Sequence, residues 1–314
     1  MATKIWVGTT GGSEGDLSEP ANWQPSGVPV ASDNIYFDGG VSNQDVTTTL
    51  DHFTSSPAFS SVHVLDTYTG KIGQAATPMS VHPGDLFLHE LTGIASTTGS
   101  QRLNFDIEDA ACNVICTGSS SVAADAGSPP IRIIGSHSSN TLTVSGDAYI
   151  GVAIGPGESA EYTTINTALN QSGIGPTLLL GSGCTLTTVE MGGGTITNRG
   201  SNITTLGVSN AKYISQGSCT HTSVNIMPGG AVEHNSSGTI TTLTMAGNGS
   251  FDLSADGRAK TITNATVAAG CTMNLNNGNP LSVTFTNGID ISNAAVEDIT
   301  LISTPNINIQ FAAV

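Results

Sequence analysis

Charge is scarce in this 314-residue chain: Asp, Glu, Lys and Arg together make up 10% of it. Cations are scarcer still, with 8 Lys and Arg against 24 Asp and Glu and a formal net charge of −16. Nucleic acid and anionic membrane surfaces are held by clustered cations, so neither is expected as a partner. Aromatic residues amount to 5%, and both tryptophans, Trp6 and Trp23, fall near the start. No apolar run approaches the roughly 18 residues that a membrane-spanning helix needs. The opening Met1-Ala-Thr-Lys-Ile-Trp6 has no basic stretch followed by an apolar core. A secretory leader is therefore not visible, and synthesis in the cytoplasm is expected. Apolar residues do not recur at helical spacing between Gly181 and Gly288, so a leucine-rich horseshoe with helices is not expected.

Cysteine is also sparse, and its count of 5 is odd. Cys184, Cys219 and Cys271 share one setting, a small residue before and a threonine after. The aligned strands described below put Cys184 and Cys219 two coils apart, roughly 10 Å of stack height. A disulfide needs Cα atoms within about 7 Å, so these thiols are expected to be reduced, small and buried.

What the chain does have is a repeat between Gly181 and Gly288. Five segments align on Leu186, Ile203, His221, Ile240 and Ile262, in steps of 17, 18, 19 and 22. A second family aligns on Ile196, Tyr213, Val232, Phe251 and Met273, in steps of 17, 19, 19 and 22. Each segment is short, with apolar or small residues at every second position and Thr, Ser or Asn between them. Two strand families sharing one period of about 20, with no helix between, predict coils that stack on themselves. The glycines of Gly192-Gly-Gly194, Gly229-Gly230 and Asn276-Asn-Gly278 mark the bends. The fold class expected is all-β: a single-stranded parallel β-helix with coils of about 17–22 residues.

Residues 1–60 read as an N-terminal cap, 61–288 as the β-helix and 289–314 as C-terminal strands with a docking tail. The opening runs Trp6-Val-Gly8, then Gly15-Asp-Leu-Ser-Glu-Pro-Ala-Asn-Trp23, Gly27-Val-Pro29 and Asp33-Asn-Ile-Tyr-Phe37. This pattern resembles the opening of autotransporter-type bacterial surface β-solenoids and of some phage structural proteins. The resemblance is confined to the stretch from Trp6 to Phe37 and implies the start of a solenoid. Trp6 and Trp23 are expected to plug the open end of the first coil; paired tryptophans can also stack on sugar rings. The apolar end Ile307 to Val314 is expected to dock onto its own coil, a sister chain or a scaffold. Loops or joints are expected at 118–130 and 155–161.

Chemistry-bearing groups are thin. His52, His63, His82 and His89 cluster in sequence but lack zinc-helix spacing. Cys112-x-x-x-Cys116 has no second pair downstream, so both thiols read as interior. Polysaccharide-active β-helix families, which this fold resembles, use clustered aspartates with a cation beside them. Here Glu233 and Asp252 align one coil apart, within about 5 Å, with Arg258 nearby in sequence. A single stacked pair reads as a solvated acidic face. No catalytic, cofactor-binding or metal-binding residue is assigned, no cofactor is expected, and the chain is expected not to be an enzyme.

These features suggest a structural virion protein, a bacteriophage capsid decoration (cement) protein. It would bind the major capsid protein, form a homotrimer and reside on the capsid surface. The alternatives are a tail spike or fibre recognising a polysaccharide receptor, and a bacterial surface adhesin.

Overall fold

The computed structural model describes residues 1–8, 15–46, 58–74, 76–89, 103–118, 129–275, 283–287, 289–290 and 300–302. The expected tail from Ile307 to Val314, the bend at Asn276-Asn-Gly278, His52 and most of the 118–130 loop lie outside them.

The chain folds as a parallel β-helix whose coils each give one strand to each of two ladders. Sheet A runs from Thr3–Trp6 through Asn34–Phe37, Ala58–Val64, His82–Leu88, Asn113–Gly118, Thr141–Gly146 and Ala160–Ala168. It continues through Cys184–Gly192, Asn202–Val208, His221–Ile226, Thr239–Met245 and Lys260–Val267. Sheet B stacks Leu103–Asp106, Ile131–Ser136, Tyr149–Val152, Thr177–Leu180, Thr195–Asn198 and Lys212–Gly217. Ala231–Ser236, Ser250–Asp252, Thr272–Asn274 and Thr300–Ile302 continue it. No α-helix occurs among the described residues, and no helix there is long and apolar enough to cross a membrane.

The register read from the repeat is the register observed. Leu186 pairs with Ile203, Ile203 with His221, His221 with Ile240 and Ile240 with Ile262. In sheet B, Ile196 pairs with Tyr213, Tyr213 with Val232, Val232 with Phe251 and Phe251 with Met273. All of these side chains are buried, and they fill the space between the two sheets. Burying each large apolar side chain contributes about 1.5–3 kcal/mol, so the core rather than the backbone ladder fixes the register.

Two features differ from the sequence expectation. Coils outside the repeat are longer. The register partners Asn34 and Ser61, Asp85 and Asn113, and Asn113 and Thr141 stand 27, 28 and 28 apart in sequence. Longer turns absorb the extra chain while the strands stay in step. Strict alternation also fails inside sheet A. Leu186 and Val189 both point inward, with Thr187 and Thr188 outward between them. The ladder pairs Leu186 with Ile203 and then Thr188 with Thr205, passing over Thr187 and Thr204. The same step recurs at Thr163, Thr222, Thr241 and Thr263. An extra outward residue stacked in every one of these coils bends the strand, as a bulge does, and gives sheet A a corner.

Bends between the sheets are tight. Gly194 has φ +82°, and a Cβ there would lie 2.2 Å from the Pro176 carbonyl oxygen, so only glycine fits. The expected joint at 155–161 is a turn that ends where the strand Ala160–Ala168 begins.

The first coil is sealed. Thr3–Trp6 pairs with Asn34–Phe37 on one side and, in the only antiparallel pairing among the described strands, with Trp23–Gln24 on the other. That outer strand is very short and is followed by Pro25, which has no donor to offer a further strand. Trp6 and Trp23 meet edge to face at 5.2 Å, and both pack near Phe37. Trp6 Nε1 donates to the Gln44 carbonyl at 3.0 Å and Trp23 Nε1 to the Leu17 carbonyl at 2.8 Å. With 0% and 2% exposure, the pair plugs the coil and offers no ring face to a sugar.

All five cysteines are free and buried. Burial pushes the Cys112 and Cys116 thiols up to about 12 and Cys184 up to about 11, so none of these three is a thiolate near neutrality. A thiol reagent is therefore expected to label none of the five in the native protein within minutes. All five should react once the protein is denatured without reductant. A smaller denatured count would mean a bridge, and would overturn the coil alignment.

Candidate functional site

The expected acid pair is adjacent but is not poised for chemistry. Glu233 and Asp252 are register partners on adjacent rungs of sheet B. Glu233 Oε1 lies 2.6 Å from Lys212 Nζ, a cation on the preceding coil, with both side chains about a third or more exposed. Asp252 instead accepts the Ser254 amide at 2.6 Å and caps its own turn. Arg258 does not serve the pair. Its Nε pairs with Asp256 Oδ2 at 2.6 Å, and its two Nη atoms donate to the carbonyls of Gly217 at 2.8 Å and Asn235 at 2.7 Å. The guanidinium thus clips together the ends of successive coils. Paired carboxylates that divide acid and base roles need a shared substrate position; here each acid is occupied separately.

Sequence reasoning missed a ladder on the outer face of sheet A near the N-terminus. Tyr36, His63 and Phe87 stack on successive rungs, with ring centroids 4.4 Å and 4.6 Å apart and planes within 3° and 17°. His89 joins beside it, its Nε2 3.0 Å from His63 Nδ1, and Ser61 Oγ lies 2.8 Å from His63 Nε2. Burial, followed by the neighbouring His89, lowers the His63 pKa. A polar row runs parallel: Ser61 donates to Asn34 at 2.8 Å, Asn113 to Asp85 at 3.3 Å and Thr141 to Asn113 at 2.6 Å. Because the rings cover one another face to face, their edges, not their faces, line the surface. Turns of unequal length separate Tyr36, His63 and Phe87, which hid this column in the sequence.

Two of the clefts that the described residues line are polar. One is acidic, lined by Asp106, Glu108, Asp109 and Glu158, the last joined to Arg132 by an ion pair. The other carries no charge: Ser182, Thr185, Asn202, Thr204, Thr220 and Thr222 line it, over Leu186 and Ile203. Its hydroxyls and amides recur once per rung along the stacking axis, about 4.8 Å apart. Such a trough can hydrogen-bond a long neutral ligand along its length. Among the described residues no group of three or more His, Cys, Asp or Glu is placed to hold a metal ion.

No family model, curated protein or solved structure matches this chain.

His221 served in the sequence only as a register position and His234 went unremarked, yet the two prove to be the most unusual interior groups of the repeat. His221 and His234 are 1% and 0% exposed, and a chain of polar side chains surrounds them inside the coil. A histidine in a column of isoleucines was the available signal.

Proposed function

We propose that this chain is a structural virion protein, a bacteriophage capsid decoration (cement) protein that trimerises and binds the major capsid protein on the head surface. The observation that carries the reading is continuity. From Thr3 to Val267 sheet A is one unbroken stack, closed at its first coil by Trp6, Trp23 and Pro25. A chain spent on one stiff, end-sealed body suits a role in mechanical reinforcement. Its sealed N-terminal edge leaves the sides and the opposite end for contacts with sister chains and shell. Net charge of −16 keeps such a body soluble and away from nucleic acid.

A second reading, a tail spike or fibre that binds a polysaccharide, draws on the uncharged trough of Thr185, Asn202, Thr204, Thr220 and Thr222. One experiment separates the two. The intact protein is mixed with shells assembled from the major capsid protein of the same genome, and with neutral cell-wall polysaccharide as the competing ligand. Expected are saturable co-sedimentation with shells and a light-scattering mass of three 31.8 kDa chains. A stable monomer at micromolar concentration that sediments with polysaccharide and not with shells would replace the first reading with the second.

A further inference from the structure

Four of five rungs in the first inward column of the repeat are Leu186, Ile203, Ile240 and Ile262; the fifth is His221. Isoleucine would continue that column, so packing alone does not call for an imidazole. Facing it across the core, the column Asn198–Ser215–His234 of sheet B is polar as well. The two imidazoles lie 5.9 Å apart, edge to face. Each belongs to a network of neutral side chains. Asn198 Nδ2 donates to the Tyr213 hydroxyl at 2.8 Å, and that hydroxyl lies 2.8 Å from His221 Nε2. His221 Nδ1 is buried with no partner. His234 Nε2 donates to the Gly238 carbonyl at 3.3 Å, so Nδ1 is left to accept the Ser215 hydroxyl at 2.8 Å.

A second proton on either ring would place a buried charge against neutral hydroxyls alone. On His234 it would force the Ser215 hydroxyl to turn from donor to acceptor, and on His221 the charge would sit buried between Ile203 and Ile240. Two such cations 5.9 Å apart would also repel. The groups around them do not compensate. Lys260, 1% exposed, donates to the carbonyls of Asp256 at 2.8 Å and Arg258 at 3.2 Å. Its ammonium and the Arg258 guanidinium disfavour charge on His234, whereas Asp256 favours it. Tyr213 contributes a neutral hydroxyl, and the Cys219 thiol is committed to the Asn198 and Gln216 carbonyls.

We propose that the coils from Asn198 to Gly238 are an acid-sensitive section of the solenoid, closed while His221 and His234 are neutral and opened when they take up protons. This inference rests on the solenoid core and is independent of the virion reading. Burial holds His221 down to about 3 and His234 down to about 4, against 6.5 for a solvated imidazole. The open chain therefore binds more protons than the closed one between those values. Stability is fully present above pH 6.5 and is lost progressively as pH falls toward 3–4.

The test is native-state hydrogen exchange with mass spectrometry on the intact protein at pH 7 and pH 4.5, corrected for the intrinsic pH dependence of exchange. Expected is at least a tenfold acceleration confined to peptides from 198–238, while the peptides carrying Trp6 and Trp23 keep their protection. His221→Gln with His234→Gln keeps hydrogen-bonding side chains that cannot take a proton, and should cut the acceleration below threefold. Tyr213→Phe with His221→Ile restores the aliphatic column and leaves His234 alone to titrate, so it should show a smaller acceleration than wild type if the first variant misfolds. Acceleration spread evenly over all coils, none in wild type, or unchanged acceleration in a folded variant would each overturn the proposal.

Discussion

Replacing Trp6 with alanine is expected to lower the unfolding free energy by about 3–5 kcal/mol, the range for emptying a large aromatic site. Trp6 is fully buried against Trp23 and Phe37, and its indole nitrogen holds the Gln44 carbonyl at 3.0 Å. The loss reaches beyond a cavity. Trp6 itself pairs with Trp23, so removing the indole loosens the short strand that covers the first rung of sheet A. An uncovered parallel edge is a template for another chain. Denaturant unfolding should show the lost stability, and light scattering should show new concentration-dependent association. Trp6→Phe keeps most of the bulk and should cost about 1–2 kcal/mol, with Tyr68 still donating to Gln44 at 2.7 Å. An alanine variant as stable and monodisperse as the parent would mean that the tryptophans do not seal the coil.

Gly181→Ala is expected to cost about 3 kcal/mol, the upper end of the overpacking range and well above the effect of a surface substitution. A Cβ at Gly181 would sit 1.7 Å from the Ala153 carbonyl oxygen on the coil below. Neither atom belongs to a flexible side chain, so one coil must lift off the other. That lift strains the bond from the Gly181 amide to the Val152 carbonyl, 2.8 Å in the native stack. Gly173, which has open space at its Cβ, is a poor control because its φ of +75° adds strain of its own. Thermal melting of Gly181→Ala beside an alanine at exposed Thr187 gives the comparison. Equal melting temperatures would contradict the close stacking at this corner.

The repeat was legible because parallel in-register stacking places like positions above one another. Leu186, Ile203, Ile240 and Ile262 share one inward column, and the core demands the same thing of each. The N-terminal coils were not legible as a period, since turns of unequal length separate Ile35, Val62 and Leu86 while their packing stays equivalent. The Thr187-Thr188 corner was hidden because alternation in sequence assumes a straight strand. Glu233 and Asp252 align in sequence as they do in space, yet Lys212, which claims Glu233, sits out of line with it on the preceding coil. The polar seam was missed for a similar reason. His221 meets Tyr213 and His234 only across the core, and no spacing within one strand family reveals what faces it.

The stacked-coil register itself is most directly tested by deleting one whole coil. Removing Leu186 to Asn202 takes out one full step between register partners, so Ile203 would occupy the place of Leu186, and Tyr213 would face Leu178. Removing only Met191 to Arg199 instead cuts out the sheet B strand of that coil and leaves its sheet A strand without a return path. Far-ultraviolet circular dichroism and denaturant unfolding of both variants decide the matter. The whole-coil deletion should keep the β signal per residue and a single cooperative transition, because stacked repeats need only matching neighbours. The half-coil deletion should lose both, despite removing a shorter stretch. Two variants that fold equally well, or fail equally, would contradict a solenoid held by register-matched coils.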